Sequence, residues 1–118
     1  MLAKAVLVAV LAALIFFADE IYLHSYVPVA PGSVIMVSGT STGIGNGIAR
    51  ALVQKGYTVF ATVRKQEDAH RLTREINNPL LRPIIMDILD PGAIEAGLQT
   101  IEDFLVSSGL PFGGIINK

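Results

Sequence analysis

A glycine-rich segment carries the residues of this sequence that are best suited to bind a ligand. It reads Ser38-Gly39-Thr40-Ser41-Thr42-Gly43-Ile44-Gly45, between an apolar strand-like stretch and an amphipathic helix-like stretch. At this spacing Gly39 allows a sharp turn, Gly43 allows the backbone to approach a phosphate, and Gly45 allows the helix to pack closely. The first N–H groups of a helix are unpaired and carry partial positive charge, so an anion is favoured there. We predict a phosphate-binding loop; the alternatives are a structural turn or a different phosphate ligand.

The segments around this loop alternate between strand and helix patterns, which is typical of an α/β fold with a parallel sheet. Strands are predicted at 34–37, 57–63, 82–86 and 113–117, with helices at 44–55, 67–76 and from 91 until Gly109. Three right-handed crossovers then give four strands in the order 3-2-1-4, a partial Rossmann-like doubly wound sheet. The fourth strand would leave an apolar, unpaired edge at Ile115 and Ile116.

The periodicity of apolar residues also predicts which helix faces pack inward. For the helix that precedes the fourth strand, Asp90 is a favourable N-cap and Pro91 suits the first helical position. The predicted inward residues of the three helices are, in chain order, Ile44, Ile48 and Leu52, then Ala69, Leu72 and Ile76, and finally Ile94, Leu98, Ile101 and Leu105.

Composition excludes several classes of function. The 118 residues suit one domain with an N-terminal appendage, and a net charge of -1 gives no basic surface for nucleic acid. Without cysteine there is no disulfide, no Cys-ligated zinc and no thiol catalysis. The sequence has two histidines, His24 and His70, and neither has other metal-ligating residues at a suitable spacing, so we predict no metal site.

The N-terminal segment, residues 1–20, is predicted to be a hydrophobic anchor or signal segment. Ala5 to Ala18 is an unbroken run of 14 apolar residues behind Lys4. A helix of that length spans about 21 Å, or about 27 Å from Met1, against roughly 30 Å of hydrocarbon. A transmembrane anchor is favoured over a cleaved signal peptide or a buried core helix. Residues 21–32 are then a linker, and the domain occupies 33–118.

The loop and two other motifs resemble those of the short-chain dehydrogenases/reductases. The loop spacing is similar to their T-G-x-x-x-G-x-G loop, with Ser38 in place of threonine. Asp87 resembles the aspartate that contacts adenine in that family, and Asn117 resembles the start of the N-N-A-G motif, whose second Asn is Lys118 here. The resemblance implies a nicotinamide dinucleotide site that includes Gly39, Ser41, Thr42, Gly43, Ile44, Gly45, Asp87 and Asn117.

The end of the second predicted strand bears on the choice of cofactor. An acidic residue there would bind the ribose 2′-hydroxyl of NAD, but Arg64 and Lys65 occupy the position. A guanidinium can hold a 2′-phosphate in fork geometry, so NADP is favoured over NAD. The alternative is that both residues are ordinary solvated cations.

The family's catalytic serine and Tyr-x-x-x-Lys pair do not occur in these 118 residues. We therefore expect the cofactor-binding N-terminal part, a fragment, of a membrane-associated reductase that interconverts alcohol and carbonyl and is inactive alone. Analogy to microsomal family members implies the endoplasmic reticulum and a lipophilic substrate. The alternative is a non-catalytic, membrane-tethered module that binds nucleotide or docks its sheet edge on a full-length partner.

Overall fold

The computed structural model describes residues 1–24 and 28–118, and it contains four helices and four strands in these ranges. Each predicted strand and helix of residues 33–118 is confirmed, with boundaries that move by at most one residue. The elements in chain order are α1 (Leu2–His24), β1 (Val34–Val37), α2 (Gly43–Gln54), β2 (Thr58–Val63), α3 (Gln66–Ile76), β3 (Leu81–Ile85), α4 (Pro91–Ser108) and β4 (Phe112–Ile116).

The four strands form one parallel sheet in the order β3-β2-β1-β4, which confirms the predicted topology. β1 lies between β2 and β4, with Val37 opposite Ala61 on one side and Ile116 on the other. Because the chain runs to β2 on one side of β1 and later returns to β4 on its other side, a crevice opens beyond the carboxyl end of β1. β2 is buried along its whole length, as expected for an inner strand covered on both faces.

Side chains alternate between two cores, one on each face of the sheet. On one face, Ile35 and Val37 of β1 pack with residues of β2 and with the buried sides of α2 and α3. On the other face, Val34 and Phe60 pack with Ile101 of α4. The helices therefore cover both faces of the sheet, as a doubly wound fold requires.

Helix α4 begins and ends as its sequence predicts. The Asp90 side chain accepts hydrogen bonds from the backbone N–H groups of Gly92 and Ala93, and Pro91 occupies the first turn. Gly109 follows the last turn with a φ of 67°, a left-handed conformation that favours glycine.

The predicted inward faces of α2 and α4 need correction, whereas that of α3 is confirmed by the burial of Ala69 and Leu72. The buried residues of α2 are Gly45, Ala49 and Val53. Of the predicted residues, Ile44 is 68% exposed, while Ile48 and Leu52 are only partly buried against the core. The buried face is rotated by one residue because small side chains let this helix lie close to the sheet.

In α4, Leu98 is 43% exposed and the adjacent Gly97 is buried. A Cβ on Gly97 would lie 2.3 Å from the terminal methyl carbon of Met86 and 3.3 Å from Ile84 Cγ2. The helix therefore contacts β3 and the residue after it through a glycine, and the larger Leu98 lies outside the contact.

Helix α1 presents its apolar side chains on all sides. Its leucines, valines and phenylalanines between Leu2 and Phe17 are at least half exposed. The alternative of a buried core helix therefore does not describe α1 in this structure. Across the described ranges, 1–24 and 28–118, none of the helices is long and apolar enough to cross a membrane. The prediction of a transmembrane helix is therefore not supported.

The predicted linker, residues 21–32, overlaps the end of α1, which continues to His24. Residues 25–27 of that segment lie outside the described residues. Ser33 is buried, and β1 starts at the next residue, Val34. The division of the chain into anchor, linker and domain stays a prediction.

Candidate functional site

A cavity of about 470 Å³ opens at the carboxyl ends of the four strands. The segments that follow β1, β2, β3 and β4 all contribute to its wall. The lining residues are Ser38, Gly39, Ser41, Thr42, Thr62, Val63, Arg64, Met86, Asp87, Ile88, Leu89, Asn117 and Lys118. This is the edge of an open α/β sheet at which ligands bind.

The glycine-rich loop makes the turn from β1 into α2. Gly39 and Gly43 have φ values of 61° and 64°, which L side chains rarely adopt. A Cβ on Gly45 would lie 2.3 Å from the carbonyl oxygen of Gly39 and 3.1 Å from that of Ser38. The first turn of α2 can therefore lie against the end of β1 only because position 45 has no side chain.

The amino end of α2 faces this loop. Thr42 is the N-cap residue, with an extended backbone (φ -151°), and within the described part of the chain its side chain makes no capping hydrogen bond. The first backbone N–H groups of α2 therefore receive no hydrogen bond acceptor from the N-cap side chain, which usually supplies one. Together with the helix dipole they favour an anion at this position.

Thr62, near the end of β2, holds the loop in place. Its carbonyl oxygen accepts from the Thr40 backbone N–H at 3.1 Å and from the Thr40 hydroxyl at 3.0 Å. Its own hydroxyl accepts from the Gly39 N–H at 3.3 Å. Thr40 is completely buried, so this part of the loop is a fixed element of the fold.

A second set of hydrogen bonds joins the ends of β1 and β4. The Ser38 hydroxyl donates to Asn117 Oδ1 at 2.6 Å and accepts from the Lys118 backbone N–H at 3.0 Å. The Ser38 N–H donates to the carbonyl oxygen of Ile116 at 2.9 Å. Ser38 therefore positions both residues that line the cavity after β4.

Asp87 shapes the segment that follows β3. Its carboxylate accepts from the Leu89 N–H at 3.0 Å, and its carbonyl oxygen accepts from the Asp90 N–H. The turn leaves the side chains of Ile88 and Leu89 80% and 85% exposed at the cavity. This side of the cavity thus combines a carboxylate with two apolar side chains.

Arg71 of α3 supports the loop from outside the cavity. Its Nη2 donates to the Ser41 carbonyl oxygen at 2.8 Å and pairs with Asp68 Oδ1 at 2.8 Å. The Arg71 guanidinium therefore links α3 to the glycine-rich loop.

The structure brings six of the predicted site residues to the cavity wall: Gly39, Ser41, Thr42, Arg64, Asp87 and Asn117. Four predicted residues are not in the wall. Gly43 and Ile44 are exposed in the first turn of α2, Gly45 is buried beneath the loop, and Lys65 is the N-cap residue of α3.

The sequence patterns do not identify Thr62 or Arg71, and they mark Lys118 only as a departure from a motif. Thr62 and Arg71 lie 22 and 30 residues from their loop partners, Thr40 and Ser41. Contacts at such separations leave no local pattern in a single sequence.

Comparison with known proteins identifies the family. A family model described as short chain dehydrogenase matches residues 33–107. A 3-oxoacyl-(acyl-carrier-protein) reductase of Vibrio harveyi is 33% identical over 72 residues, covering 61% of this chain and 29% of the relative. An NADPH-dependent 3-dehydrocapnine reductase of Ornithobacterium rhinotracheale is 32% identical over 75 residues, covering 64% of this chain and 26% of the relative.

A solved structure agrees with these matches. The crystal structure of a short chain dehydrogenase from Bacillus anthracis superposes with a TM-score of 0.61 at 26% identity, covering 74% of this chain and 34% of that chain. The chain thus spans about a third or less of the length of these proteins. Since the family model covers more than half of the 118 residues, the chain belongs to the short-chain dehydrogenase family.

Proposed function

We propose that this chain binds NADP(H) in the cavity at the carboxyl end of the sheet. It would serve as the cofactor-binding part of an oxidoreductase that interconverts an alcohol and a carbonyl. The proposal rests on one observation above all. The glycine-rich loop and Arg64, at the end of β2, line the same cavity. The names of both curated relatives describe reductases, and one is NADPH-dependent.

The arrangement suits the parts of a dinucleotide. The loop and the amino end of α2 would hold the pyrophosphate, because their N–H groups and the helix dipole favour an anion. Ile88, Leu89 and Asp87 would contact the adenine with two apolar side chains and a carboxylate. Asn117 would contact the cofactor from the end of β4.

Arg64 supports NADP over NAD. It lines the cavity immediately after β2, where a ribose 2′-group would lie, and a guanidinium binds phosphate through paired hydrogen bonds. The hydroxyl-bearing residues Ser41 and Thr42 line the same cavity. Lys65, outside the cavity wall, would contribute at longer range.

Isothermal titration of the full chain with NADPH and NADH tests the proposal. Wild type should prefer NADPH, and Arg64→Ala should reduce that preference at least about tenfold while leaving NADH affinity nearly unchanged, since charge-assisted hydrogen bonds contribute roughly 1.5–3 kcal/mol. Arg74→Ala is the matched control, because Arg74 is an exposed arginine that does not line the cavity. Equal affinity of wild type for both dinucleotides would contradict NADP selectivity.

We also propose that α1 associates with membranes, in keeping with a reductase of the endoplasmic reticulum that acts on a lipophilic substrate. The support is the helix surface, which is apolar on all sides from Ala5 to Phe17. Burial of this surface in lipid would remove a large apolar area from water.

Sedimentation with phosphatidylcholine vesicles tests this association. Leu11→Asp should release the chain into the supernatant, because a charge within an apolar helix costs about 2.5–3.5 kcal/mol in the membrane. Val106→Asp is the control, since Val106 is an exposed apolar residue of α4. Wild type that stays in the supernatant would exclude membrane association.

A further inference from the structure

The Lys118 side chain lies over the glycine-rich loop. Its Cδ is 3.9 Å from the point where a Cβ on Gly39 would stand, and its Nζ is 3.6 Å from the corresponding point at Gly43. Gly39 lies in the turn after β1, and Gly43 is the first residue of α2. The ammonium group therefore lies beside the amino end of α2.

Hydrogen bonds of the Ser38 hydroxyl hold the chain at the point where the Lys118 side chain begins. The Lys118 N–H donates to the Ser38 hydroxyl, and the Ser38 hydroxyl donates to the side chain of Asn117. Ile116, two residues earlier, is paired with Val37 in the sheet. The start of the Lys118 side chain is thus held at the edge of the loop by β1.

The cationic side chains of the cavity match in number the anionic groups of the proposed cofactor. Within the described part of the chain, the cationic side chains that line the cavity are Arg64, after β2, and Lys118, over the loop. A 2′-phosphorylated dinucleotide carries a 2′-phosphate and a pyrophosphate. With Arg64 assigned to the 2′-phosphate, the ammonium of Lys118 remains for the pyrophosphate.

We propose that Lys118 is a pyrophosphate-binding residue, which adds a cation to the N–H groups of the loop and of α2. The inference rests on the proposed dinucleotide site. Because NADPH and NADH share the pyrophosphate, Lys118 strengthens the binding of both dinucleotides and does not select between them. Arg64, by contrast, acts on the 2′-phosphate alone.

Titration of Lys118→Met with NADPH, NADH and adenosine 2′-monophosphate separates the two roles. Both dinucleotides should bind about tenfold more weakly, with an unchanged ratio between them, because a charge-assisted hydrogen bond is lost. Adenosine 2′-monophosphate, which has no pyrophosphate, should bind as it does to wild type. Lys118→Arg keeps the positive charge and should stay within about threefold of wild type.

Lys55→Met is the matched control, since Lys55 is an exposed lysine at the end of α2 and does not line the cavity. If Lys118→Met binds NADPH as tightly as wild type does, the role of Lys118 is refuted while the site stands. If wild type binds neither dinucleotide, the proposed function fails as well.

Discussion

At the scale of single residues, Gly45 makes the loop possible. Its missing side chain lets α2 lie against the backbone of Gly39 and Ser38, where a Cβ would come within 2.3 Å of a carbonyl oxygen. Backbone atoms cannot move aside as the end of a flexible side chain can. The shape of the loop thus depends on the absence of a side chain at position 45.

Gly45→Ala should therefore abolish detectable NADPH binding and destabilise the fold by about 1–3 kcal/mol, the usual range for overpacking. Gly47→Ala is a matched control in the same helix, because a Cβ at Gly47 meets nothing within 4 Å. That control should be stabilised by roughly 0.5–1 kcal/mol, since alanine favours the helix. Thermal unfolding and titration check both variants; Gly45→Ala that binds NADPH like wild type would refute this role of Gly45.

At the scale of elements, α3 supports a loop although it contributes no lining residue to the cavity. The link is Arg71, which donates to the Ser41 carbonyl oxygen while Asp68 holds its guanidinium. One guanidinium nitrogen, Nη2, thus contacts both Asp68 of α3 and the loop. We expect the position of the loop to depend on this contact.

Arg71→Ala should weaken the binding of NADPH and NADH alike by about fivefold, because the loss of one hydrogen bond of about 1 kcal/mol loosens a loop that both ligands use. The thermal midpoint should fall by roughly 4–8 °C. Arg74→Ala, in the same helix, should change neither quantity. Unchanged affinity and midpoint in Arg71→Ala would show that the contact does not position the loop.

The elements can be predicted from the sequence because hydrophobic periodicity is a local property. The prediction fails at the face of α2, where the apolar pattern of Ile44 and Ile48 outweighs the glycine and alanine that actually contact the sheet. In the candidate site, the glycine-rich loop and Arg64 can be recognised from short stretches of the sequence. The supports from Thr62 and Arg71 come from distant parts of the chain and are visible only in the folded structure.

At the scale of the whole molecule, the four-stranded sheet brings the carboxyl end of every strand to one cavity. The order β3-β2-β1-β4 places β1, and the loop that follows it, between the segments that follow β2 and β4. Helix α1 adds an apolar surface of its own. We propose that a nicotinamide dinucleotide binds in the cavity at this edge of the sheet.

The most direct test is an NMR titration of the ¹⁵N-labelled chain, in detergent micelles, with NADPH. We predict saturable shifts of the amide signals of Gly39, Gly43 and Gly45, together with those of Leu89 and Asn117. Signals from the far ends of the strands, such as Val34 and Phe112, should stay unchanged. Shifts confined to other regions, or no shifts at millimolar NADPH, would contradict dinucleotide binding at this site.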